Sequence, residues 1–227
     1  MFRSFSFGNV GRWFLRTAAL FIWRNREAEE TLEGAGHFVK RPFIVVSGLP
    51  GCGKSTLARQ LSLTMGLPLL DKDDILERLF DVKGIGDSAW RRRLSRESDV
   101  MLEAEATVSQ GAVLTSFWHL PGMAEDSGTP TRWLLTLSHD LVHVNCVCPP
   151  EIAAKRFQMR TRHAGHLDGD RTPTGILARI HELVRLGPLD IEPRVDVDTS
   201  VVPDIDVVTR EIRDAFTRCR TYKKKSS

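Results

Sequence analysis

The sequence predicts an α/β fold, in which a parallel five-stranded sheet carries helices on both faces. The chain has 227 residues, of which 41% are apolar and 27% charged, so it can bury a hydrophobic core and is not disordered throughout. Short apolar runs typical of buried strands alternate with longer stretches of helical periodicity. The predicted strands lie roughly at residues 43–47, 68–70, 112–116, 141–147 and 195–198.

Charge and cysteine content exclude several classes of protein. The formal net charge is only +3, which does not by itself indicate a nucleic-acid-binding protein. Four cysteines are too few for a disulfide scaffold and show no metal-site spacing, so we expect reduced thiols and a cytoplasmic protein. No run approaches the ~18 apolar residues that a membrane span requires.

Residues 1–41 differ from the rest and are predicted to form a basic and aromatic N-terminal extension with a linker. Residues 1–26 contain five arginines, no acidic residue and an imperfect amphipathic pattern. Three interpretations stay open: a loosely ordered extension, a surface helix that touches a membrane or a partner, and a targeting peptide. The predicted domain follows at residues 42–220, and a polar tail occupies residues 221–227.

The most specific motif follows the first predicted strand directly and reads Gly48-Leu49-Pro50-Gly51-Cys52-Gly53-Lys54-Ser55-Thr56. It matches the Walker A pattern G-x-x-x-x-G-K-[ST] in full, and a helical pattern follows it. Glycines let such a loop wrap a phosphate with backbone N–H groups, and the helix N-terminus adds partial positive charge. In this role Lys54 reaches the β- and γ-phosphates of ATP and Ser55 ligates Mg²⁺. The motif predicts an ATP-binding P-loop NTPase fold, in which Cys52 is a small filler.

Three acidic residues, Asp71, Asp73 and Asp74, follow the second predicted strand. The carboxyl ends of parallel strands form the edge at which ligands bind in open α/β sheets. A kinase needs a carboxylate there to accept the proton of the attacking hydroxyl and to help hold the metal ion. The alternative is that Asp71 or Asp73 caps the helix beginning near Ile75, and one residue can do both.

From Phe43 to about Phe216, the chain resembles the small P-loop kinases that include chloramphenicol phosphotransferase, gluconate kinase, the polynucleotide 5′-hydroxyl kinase domain and zeta-toxin-like kinases. The resemblance implies the sheet order 2-3-1-4-5. It rests on four segments: the phosphate loop, Asp73-Asp74-Ile75, the arginines between Arg156 and Arg162, and Asp198-Thr199-Ser200.

The same resemblance implies the role of the carboxylates. It makes Asp73 the general base, with Asp71 as a competitor. The third strand ends in Thr115-Ser116 rather than in a Walker B aspartate, which departs from the usual pattern. We therefore expect Mg²⁺ to be held by Ser55, Asp73 and water.

Residues of about 150–186 resemble the helical lid of these kinases. A predicted helix from Glu151 carries Arg156 and Arg160 at i,i+4, so both are expected on one face. Lid arginines spread the charge that develops on the transferred phosphoryl group and close the site against water. Arg156 and Arg160 are thus the predicted catalytic arginines, with Arg162 next, and the alternative is a solvated helix face.

Two segments in the middle of the chain are less informative. Arg91, Arg92, Arg93 and Arg96 begin a long helical stretch and could contact an anionic acceptor, but a solvent-exposed face is the favoured interpretation. The segment from Phe117 to Leu120 follows the third strand at the ligand-binding edge. Its aromatic residues either line an acceptor pocket or belong to the core, and the sequence does not separate the two.

The favoured function is transfer of the γ-phosphoryl group of ATP, with Mg²⁺ as cofactor, to a hydroxyl of a small-molecule acceptor of unknown identity. One alternative is a 5′-hydroxyl polynucleotide kinase, which needs a longer basic groove than Arg91–Arg96 provides. A nucleic-acid partner is therefore not favoured. The other alternative is a nucleotide-dependent ATPase or switch without a small acceptor. The Asp-Asp run and the arginine-bearing lid favour transfer, because a switch needs neither.

Overall fold

The computed structural model describes residues 41–137, 140–170 and 172–224. Its five strands form a parallel sheet in the order β2-β3-β1-β4-β5, which confirms the expected fold class and strand order. The strands are β1 (Phe43–Gly48), β2 (Leu69–Asp71), β3 (Ala112–Thr115), β4 (Leu141–Val147) and β5 (Arg194–Asp198). The helices are α1 (Lys54–Met65), α2 (Lys72–Lys83), α3 (Ser88–Val108), α4 (Leu134–Leu137), α5 (Pro150–Met159), α6 (Pro173–Leu186) and α7 (Ile205–Lys224).

Helices cover both faces of the sheet, because successive strand residues point to opposite sides. Ile44 and Val46 belong to a core cluster formed with α1, α5, α6 and α7. Phe43 and Val45 belong to a second cluster, which includes Leu102 of α3 and residues of α4. The continuous burial of β1 residues 43–47 is what a strand covered on both faces requires. The phosphate loop therefore follows directly after a strand that is buried on both faces.

The second strand passes into a helix without an intervening loop residue. β2 ends at Asp71 and α2 begins at Lys72. Asp71 caps this helix, since its Oδ1 accepts a hydrogen bond from the backbone N–H of Asp73 at 2.9 Å. The predicted capping role is therefore present, and the acidic run is fixed directly at the carboxyl end of a strand.

The predicted arrangement of two helices around a charged connection is present between residues 150 and 186. α5 ends at Met159, and two 3₁₀ turns, Ala164–His166 and Asp168–Asp170, precede α6. Thr172 caps α6 through the backbone N–H of Gly175, and Pro173 occupies its first turn. We call residues 160–172 the lid connection.

The structure does not describe the first 40 residues, and its last helix continues past a predicted boundary. Residues 1–40 lie outside the described residues, so the N-terminal extension and its three interpretations stay predictions. At the other end, α7 continues to Lys224, past the predicted boundary at residue 220. Within the described ranges, no helix is long and apolar enough to cross a membrane.

Gly51 provides a test of how tightly the phosphate loop packs against α5. Its φ is +83°, and a Cβ there would lie 2.2 Å from the carbonyl oxygen of Ala153. Gly66 also has a positive φ, +66°, but a Cβ there meets nothing within 4 Å. We expect Gly51→Ala to lower the free energy of unfolding by more than about 2 kcal/mol, and Gly66→Ala by only about 1 kcal/mol. Urea denaturation measures both, and equal losses would contradict the predicted clash.

Candidate functional site

The phosphate loop forms a single turn between β1 and α1. Gly53 adopts a left-handed conformation with φ of 98°, and no side chain caps the N-terminus of α1. The backbone N–H groups of the first helical turn are therefore not covered by a side chain, which suits an anionic ligand. The Lys54 ammonium donates hydrogen bonds to the carbonyl oxygens of Gly48 at 3.0 Å and Leu49 at 2.9 Å. Both contacts lie within the predicted phosphate loop, residues 48–56.

Cys52 is completely buried inside this loop. Its backbone N–H donates to the carbonyl oxygen of Leu49 at 3.1 Å, so it stabilises the turn itself. A hydrogen bond with Cys146 is the main cause that lowers the pKa of Cys52 to about 6, against the opposing effect of burial. Its complete burial agrees with the interpretation of Cys52 as a packing residue.

Asp71 lies at the end of β2 and is 5% exposed. Burial is the main cause that raises its pKa to about 6, and the Asp73 carboxylate raises it further. The Ser55 hydroxyl is close enough to lower the pKa. Among the described residues, the Oδ2 atom of Asp71 has no hydrogen-bond partner of good geometry. A buried carboxylate oxygen of this kind, next to the phosphate-loop serine, fits a hard cation such as Mg²⁺.

The expected metal site, Ser55 and Asp73, stays a prediction, and the structure adds Asp71 as a candidate ligand. The sequence predicts Ser55 and Asp73 as metal ligands and leaves Asp71 as a competing base. In the structure, Asp71 is the carboxylate beside Ser55. The third strand does end in Thr115-Ser116 without an acidic residue, and Thr115 pairs with Asp71 in the sheet register. Asp71 therefore stands next to the position at which a Walker B aspartate would follow β3.

Asp73 lies in the first turn of α2, surrounded by basic groups. Its Oδ2 accepts a hydrogen bond from Arg162 at 2.5 Å. Burial on its own raises the pKa of Asp73, but the basic side chains outweigh it and hold the pKa below the ordinary value. Their effects, largest first, come from Arg162, His166, Lys54 and Arg160. Asp73 is therefore ionised at neutral pH, as a general base must be.

Arg160 and Arg162 converge on one carboxylate of the lid connection. The Oδ2 atom of Asp168 lies 3.2 Å from Arg162 and 3.4 Å from Arg160. The Arg160 guanidinium also packs over the Phe157 ring, 3.8 Å from its centroid. Arg162, which the sequence analysis placed after the other two arginines, is the one in direct contact with Asp73.

Arg156 lies elsewhere and does not join this group. Its two terminal nitrogens donate to the carbonyl oxygens of Thr199 at 2.6 Å and Ser200 at 2.8 Å. It thus fastens α5 to the loop after β5. The expected shared face with Arg160 required the helix to continue through residue 160. However, α5 ends at Met159, and Arg160 contacts Asp168 and Phe157 rather than the loop after β5.

One face of α2 holds the lid connection in place. The His166 ring lies 2.9 Å from the Glu77 carboxylate. The His163 ring lies 3.2 Å from the Asp81 carboxylate. The ring of Phe80 stacks on His163, and a Cβ at Gly165 would lie only 2.4 Å from the Phe80 ring. The α2 face that carries Asp73 therefore also carries the docking contacts of the lid.

These docking residues are not among the predicted site residues, although the sequence contains a signal for those on α2. Glu77, Phe80 and Asp81 follow Asp73 at i+4, i+7 and i+8, which is the spacing of a single helical face. Asp168 carries no comparable pattern, because it lies in an irregular connection. Its convergence with two arginines depends on the path of the chain after α5.

Trp118 belongs to the segment after β3, whose aromatic residues are expected either to line an acceptor pocket or to lie in the core. It is 3% exposed, its indole N–H donates to the carbonyl oxygen of Val46 at 2.8 Å, and it packs near Trp133. Trp118 is therefore a core residue with a satisfied hydrogen bond. Phe117 and Leu120 are only partly buried, and all three residues line a cavity at the sheet edge.

The sheet order, the complete phosphate loop and the carboxylates at the end of β2 define a P-loop nucleotide-binding fold. The sequence profile of the AAA domain family matches residues 43–182. Because this match covers more than half of the chain, the protein belongs to that family.

Two shikimate kinases are similar in sequence to part of the chain. Shikimate kinase from Corynebacterium glutamicum is 35% identical over 78 residues, which cover 32% of this chain and 43% of that enzyme. Shikimate kinase from Paracidovorax citrulli is 37% identical over 75 residues, which cover 30% of this chain and 39% of that enzyme. The matched stretch therefore spans less than half of either relative.

Two solved structures extend the comparison to the fold. A candidate kinase from Chloroflexus aurantiacus is 28% identical and superimposes with a TM-score of 0.62, covering 78% of this chain and 98% of that chain. Shikimate kinase from Bacteroides thetaiotaomicron superimposes with a TM-score of 0.50 at 15% identity, covering 76% of this chain and 97% of that chain. The second comparison shows a shared fold.

The raised pKa of Asp71 predicts that the free energy of unfolding falls as the pH rises from about 4 to 6. Its pKa of about 6 in the folded protein exceeds the ordinary value of 3.8, so the folded state binds this proton more tightly than the unfolded state. Ionised Asp71 therefore destabilises the fold above pH 6, and the penalty disappears as the pH falls toward 4. We expect Asp71→Asn, measured without Mg²⁺, to raise the free energy of unfolding at pH 7.5 by at most about 3 kcal/mol.

The matched control is Asp74→Asn, because Asp74 is an exposed carboxylate in the first turn of α2, the helix that Asp71 caps. Thermal unfolding at pH 7.5 and pH 4.5 measures both variants. The gain from Asp71→Asn is expected to shrink at the lower pH, whereas Asp74→Asn changes little at either. A destabilised Asp71→Asn variant at pH 7.5 would contradict the assigned pKa shift.

Proposed function

We propose that this protein is an ATP-dependent kinase that transfers the γ-phosphoryl group of ATP to a hydroxyl group of a small-molecule acceptor. The observation that carries the proposal is the position of Asp73, an ionised carboxylate that contacts Arg162 and feels the charge of Lys54 in the phosphate loop. Such a carboxylate can accept the proton of an attacking hydroxyl. The neighbouring cations can stabilise the charge on the transferred group.

The proposed roles follow from the contacts of each side chain. The phosphate loop and the N-terminus of α1 bind the phosphates, and Lys54 reaches the β- and γ-phosphates in exchange for its present carbonyl contacts. Arg160 and Arg162 supply positive charge from the lid connection. Asp73 is the general base. Arg156 is proposed to act by positioning the loop after β5.

Mg²⁺ is proposed to be held by Ser55 and Asp71 together with water and phosphate oxygens. The fit rests on the buried Oδ2 atom of Asp71 beside the Ser55 hydroxyl. Magnesium keeps several waters and takes one or two carboxylates in phosphate-binding sites, so a larger cluster of acidic ligands is not needed. When bound, the ion neutralises charge on the phosphates.

A small acceptor is favoured over a nucleic acid. Two of the α3 arginines that would form a basic groove already have protein partners. Arg96 pairs with Asp99 at 2.9 Å and donates to the carbonyl oxygen of Gly128 at 3.0 Å, and Arg93 packs over Trp90. The relatives named shikimate kinases also support a small acceptor. We further propose a cytoplasmic location, which the free thiols of Cys52, Cys146 and Cys148 support.

The proposal is tested by incubating the purified chain with γ-labelled ATP, Mg²⁺ and a panel of hydroxyl compounds. The panel contains sugars, carboxylated polyols, neutral alcohols and an oligonucleotide with a free 5′-hydroxyl. We expect label to appear in a small acceptor. Label only in the oligonucleotide would indicate a polynucleotide kinase, and release of inorganic phosphate alone would indicate an ATPase or switch.

Lys54 is expected to contribute most of the charge that binds the β- and γ-phosphates. Lys54→Ala should weaken the binding of Mg²⁺–ATP by roughly 100-fold, the scale of a strong charge-assisted contact. Arg59→Ala is the matched control, because Arg59 lies on the same helix and its partner is Asp74, 3.7 Å away. Titration calorimetry measures both, and equal affinities of Lys54→Ala and the wild type would contradict the role.

Asp73 is expected to affect the chemical step and not the binding of nucleotide. Asp73→Asn should lower the single-turnover rate roughly 10²–10⁴-fold, the usual range for general-base catalysis. The ATP dissociation constant should stay within a few-fold, because the phosphate loop is unchanged. Asp74→Asn is the control from the adjacent position. A near-normal rate for Asp73→Asn, with loss of activity in Asp71→Asn, would assign the base to Asp71 instead.

A further inference from the structure

Asp168, a carboxylate of the lid connection, binds two arginines at once. Its Oδ2 atom accepts hydrogen bonds from a terminal nitrogen of Arg162 at 3.2 Å and from one of Arg160 at 3.4 Å. The side chain of Asp168 is 23% exposed and that of Arg162 is 16% exposed, so water screens their attraction only in part. One carboxylate oxygen therefore holds two cations of the lid connection together.

Arg162 connects Asp168 to the proposed general base. Its Nη1 atom contacts Asp168, whereas its Nη2 atom donates a hydrogen bond to Oδ2 of Asp73. A guanidinium group is planar and its N–H groups have a fixed fork geometry. Because one nitrogen is held by Asp168, the direction of the other is set as well. Asp168 thus directs Arg162 toward Asp73, at a place where the charge of Lys54 is also felt.

The backbone around Asp168 is attached to α2, the helix that carries Asp73. Two residues before Asp168, the His166 side chain is 1% exposed and lies 2.9 Å from the Glu77 carboxylate. The Phe80 ring meets the His166 ring edge-on, with their centroids 5.7 Å apart. Glu77 follows Asp73 by about one helical turn. Packing against α2 therefore fixes where Asp168 lies relative to Asp73, independently of the arginines.

Asp168 also offsets the repulsion between the two arginines. Arg160 and Arg162 both lower the pKa of Asp73, so both lie near it. Two guanidinium groups close to one another repel unless an anion lies between them. Asp168 is the carboxylate that both contact. It gathers the positive charge at this position before any phosphate is bound.

We propose that Asp168 is a positioning residue for phosphoryl transfer, which holds Arg160 and Arg162 in the alignment that stabilises the group in transfer. The inference rests on the proposed kinase function. In that reaction the acceptor oxygen bonds to the γ-phosphorus, the bond from that phosphorus to the ADP oxygen breaks, and Asp73 takes the hydroxyl proton. Asp168 takes part in none of these bond changes and acts only through the two arginines.

The same carboxylate competes with phosphate for the arginines, so its removal has different effects on binding and on rate. Bound ATP in the ground state loses a competing anion, because the arginines become available to it. The transition state loses the alignment of its hydrogen-bond donors. Damage to the fold alone would weaken ATP binding and slow the reaction together.

Asp168→Asn removes the charge at nearly constant shape and tests this split. Single-turnover transfer should fall by about 10- to 100-fold, the cost of misplaced catalytic groups. The ATP dissociation constant should stay equal or decrease. Glu182→Gln is the matched control, because Glu182 pairs with Arg179 at 2.9 Å on α6 and is 55% exposed. It should change neither quantity. An unchanged rate in Asp168→Asn, or a parallel loss of rate and ATP affinity, would overturn the inference.

Two further comparisons separate the positioning role from a role in folding. Asp168→Glu keeps the charge and should retain more of the rate than Asp168→Asn, so equal losses in the two variants would contradict the proposal. In a chain that already carries Arg160→Ala and Arg162→Ala, Asp168→Asn should change the rate by less than about twofold, because a residue that acts through others is not additive with them. A full additional loss there would show that Asp168 does not act through the arginines.

Binding of ADP with Mg²⁺ and aluminium fluoride, a mimic of the phosphoryl group in transfer, requires no acceptor. Asp168→Asn should weaken this complex by about tenfold or more, with the affinity for ADP alone unchanged. Equal affinity of variant and wild type for the mimic, or a wild type that binds the mimic no more tightly than ADP, would overturn the inference.

The two readouts separate this inference from the proposed function. A weakened mimic complex in Asp168→Asn, without label transfer to any compound of the panel, removes the acceptor from the proposed function and leaves the positioning role standing. Label transfer to a small acceptor, with the same rate and the same mimic affinity in Asp168→Asn, leaves the kinase function standing and overturns the positioning role.

Discussion

The parallel pairing of β1 with β3 and of β3 with β2 is the constraint on which the candidate site depends. In this register, Val46 of β1 and Asp71 of β2 are both level with Thr115. The phosphate loop and the acidic run consequently leave the sheet at the same height and on the same edge. A shift of one residue would turn every side chain of a strand to the other face. The buried apolar residues of β1 therefore maintain the site geometry without touching a ligand.

Electrostatics separates two carboxylates that the chain places only two residues apart. Asp71 is held in a buried position among acidic neighbours, and its pKa rises. Asp73 is reached by the lid arginines and Lys54, and its pKa falls. The backbone alone could not create this difference, because both residues belong to the same strand–helix junction. The lid creates it by bringing Arg162 to only one of them.

Local features of the site were predictable from the sequence, and features that depend on the path of the chain were not. The phosphate loop could be recognised because one contiguous motif contains the strand, the glycines and the helix start. The fold class and the strand positions followed from periodicity, and the structure confirms them. Arg156 and Arg160, expected on one helix face, have different partners in the structure, and no sequence signal marks the end of α5 at Met159. The cavity could not be predicted, since its sides come from segments about 65 residues apart in the chain, at residues 117–120 and 183–189. The roles of Asp73 and the lid arginines stay predictions.

The two oxygens of Asp71 have different tasks, and this has a consequence for how the site can change. Oδ1 holds the backbone N–H of Asp73, whereas Oδ2 is buried and is proposed to face the metal ion. The side chain that is proposed to bind the metal ion therefore also holds the backbone of Asp73, the proposed general base. In the proposed roles, metal affinity and base orientation are coupled through one carboxylate. A substitution at position 71 therefore changes both properties at once.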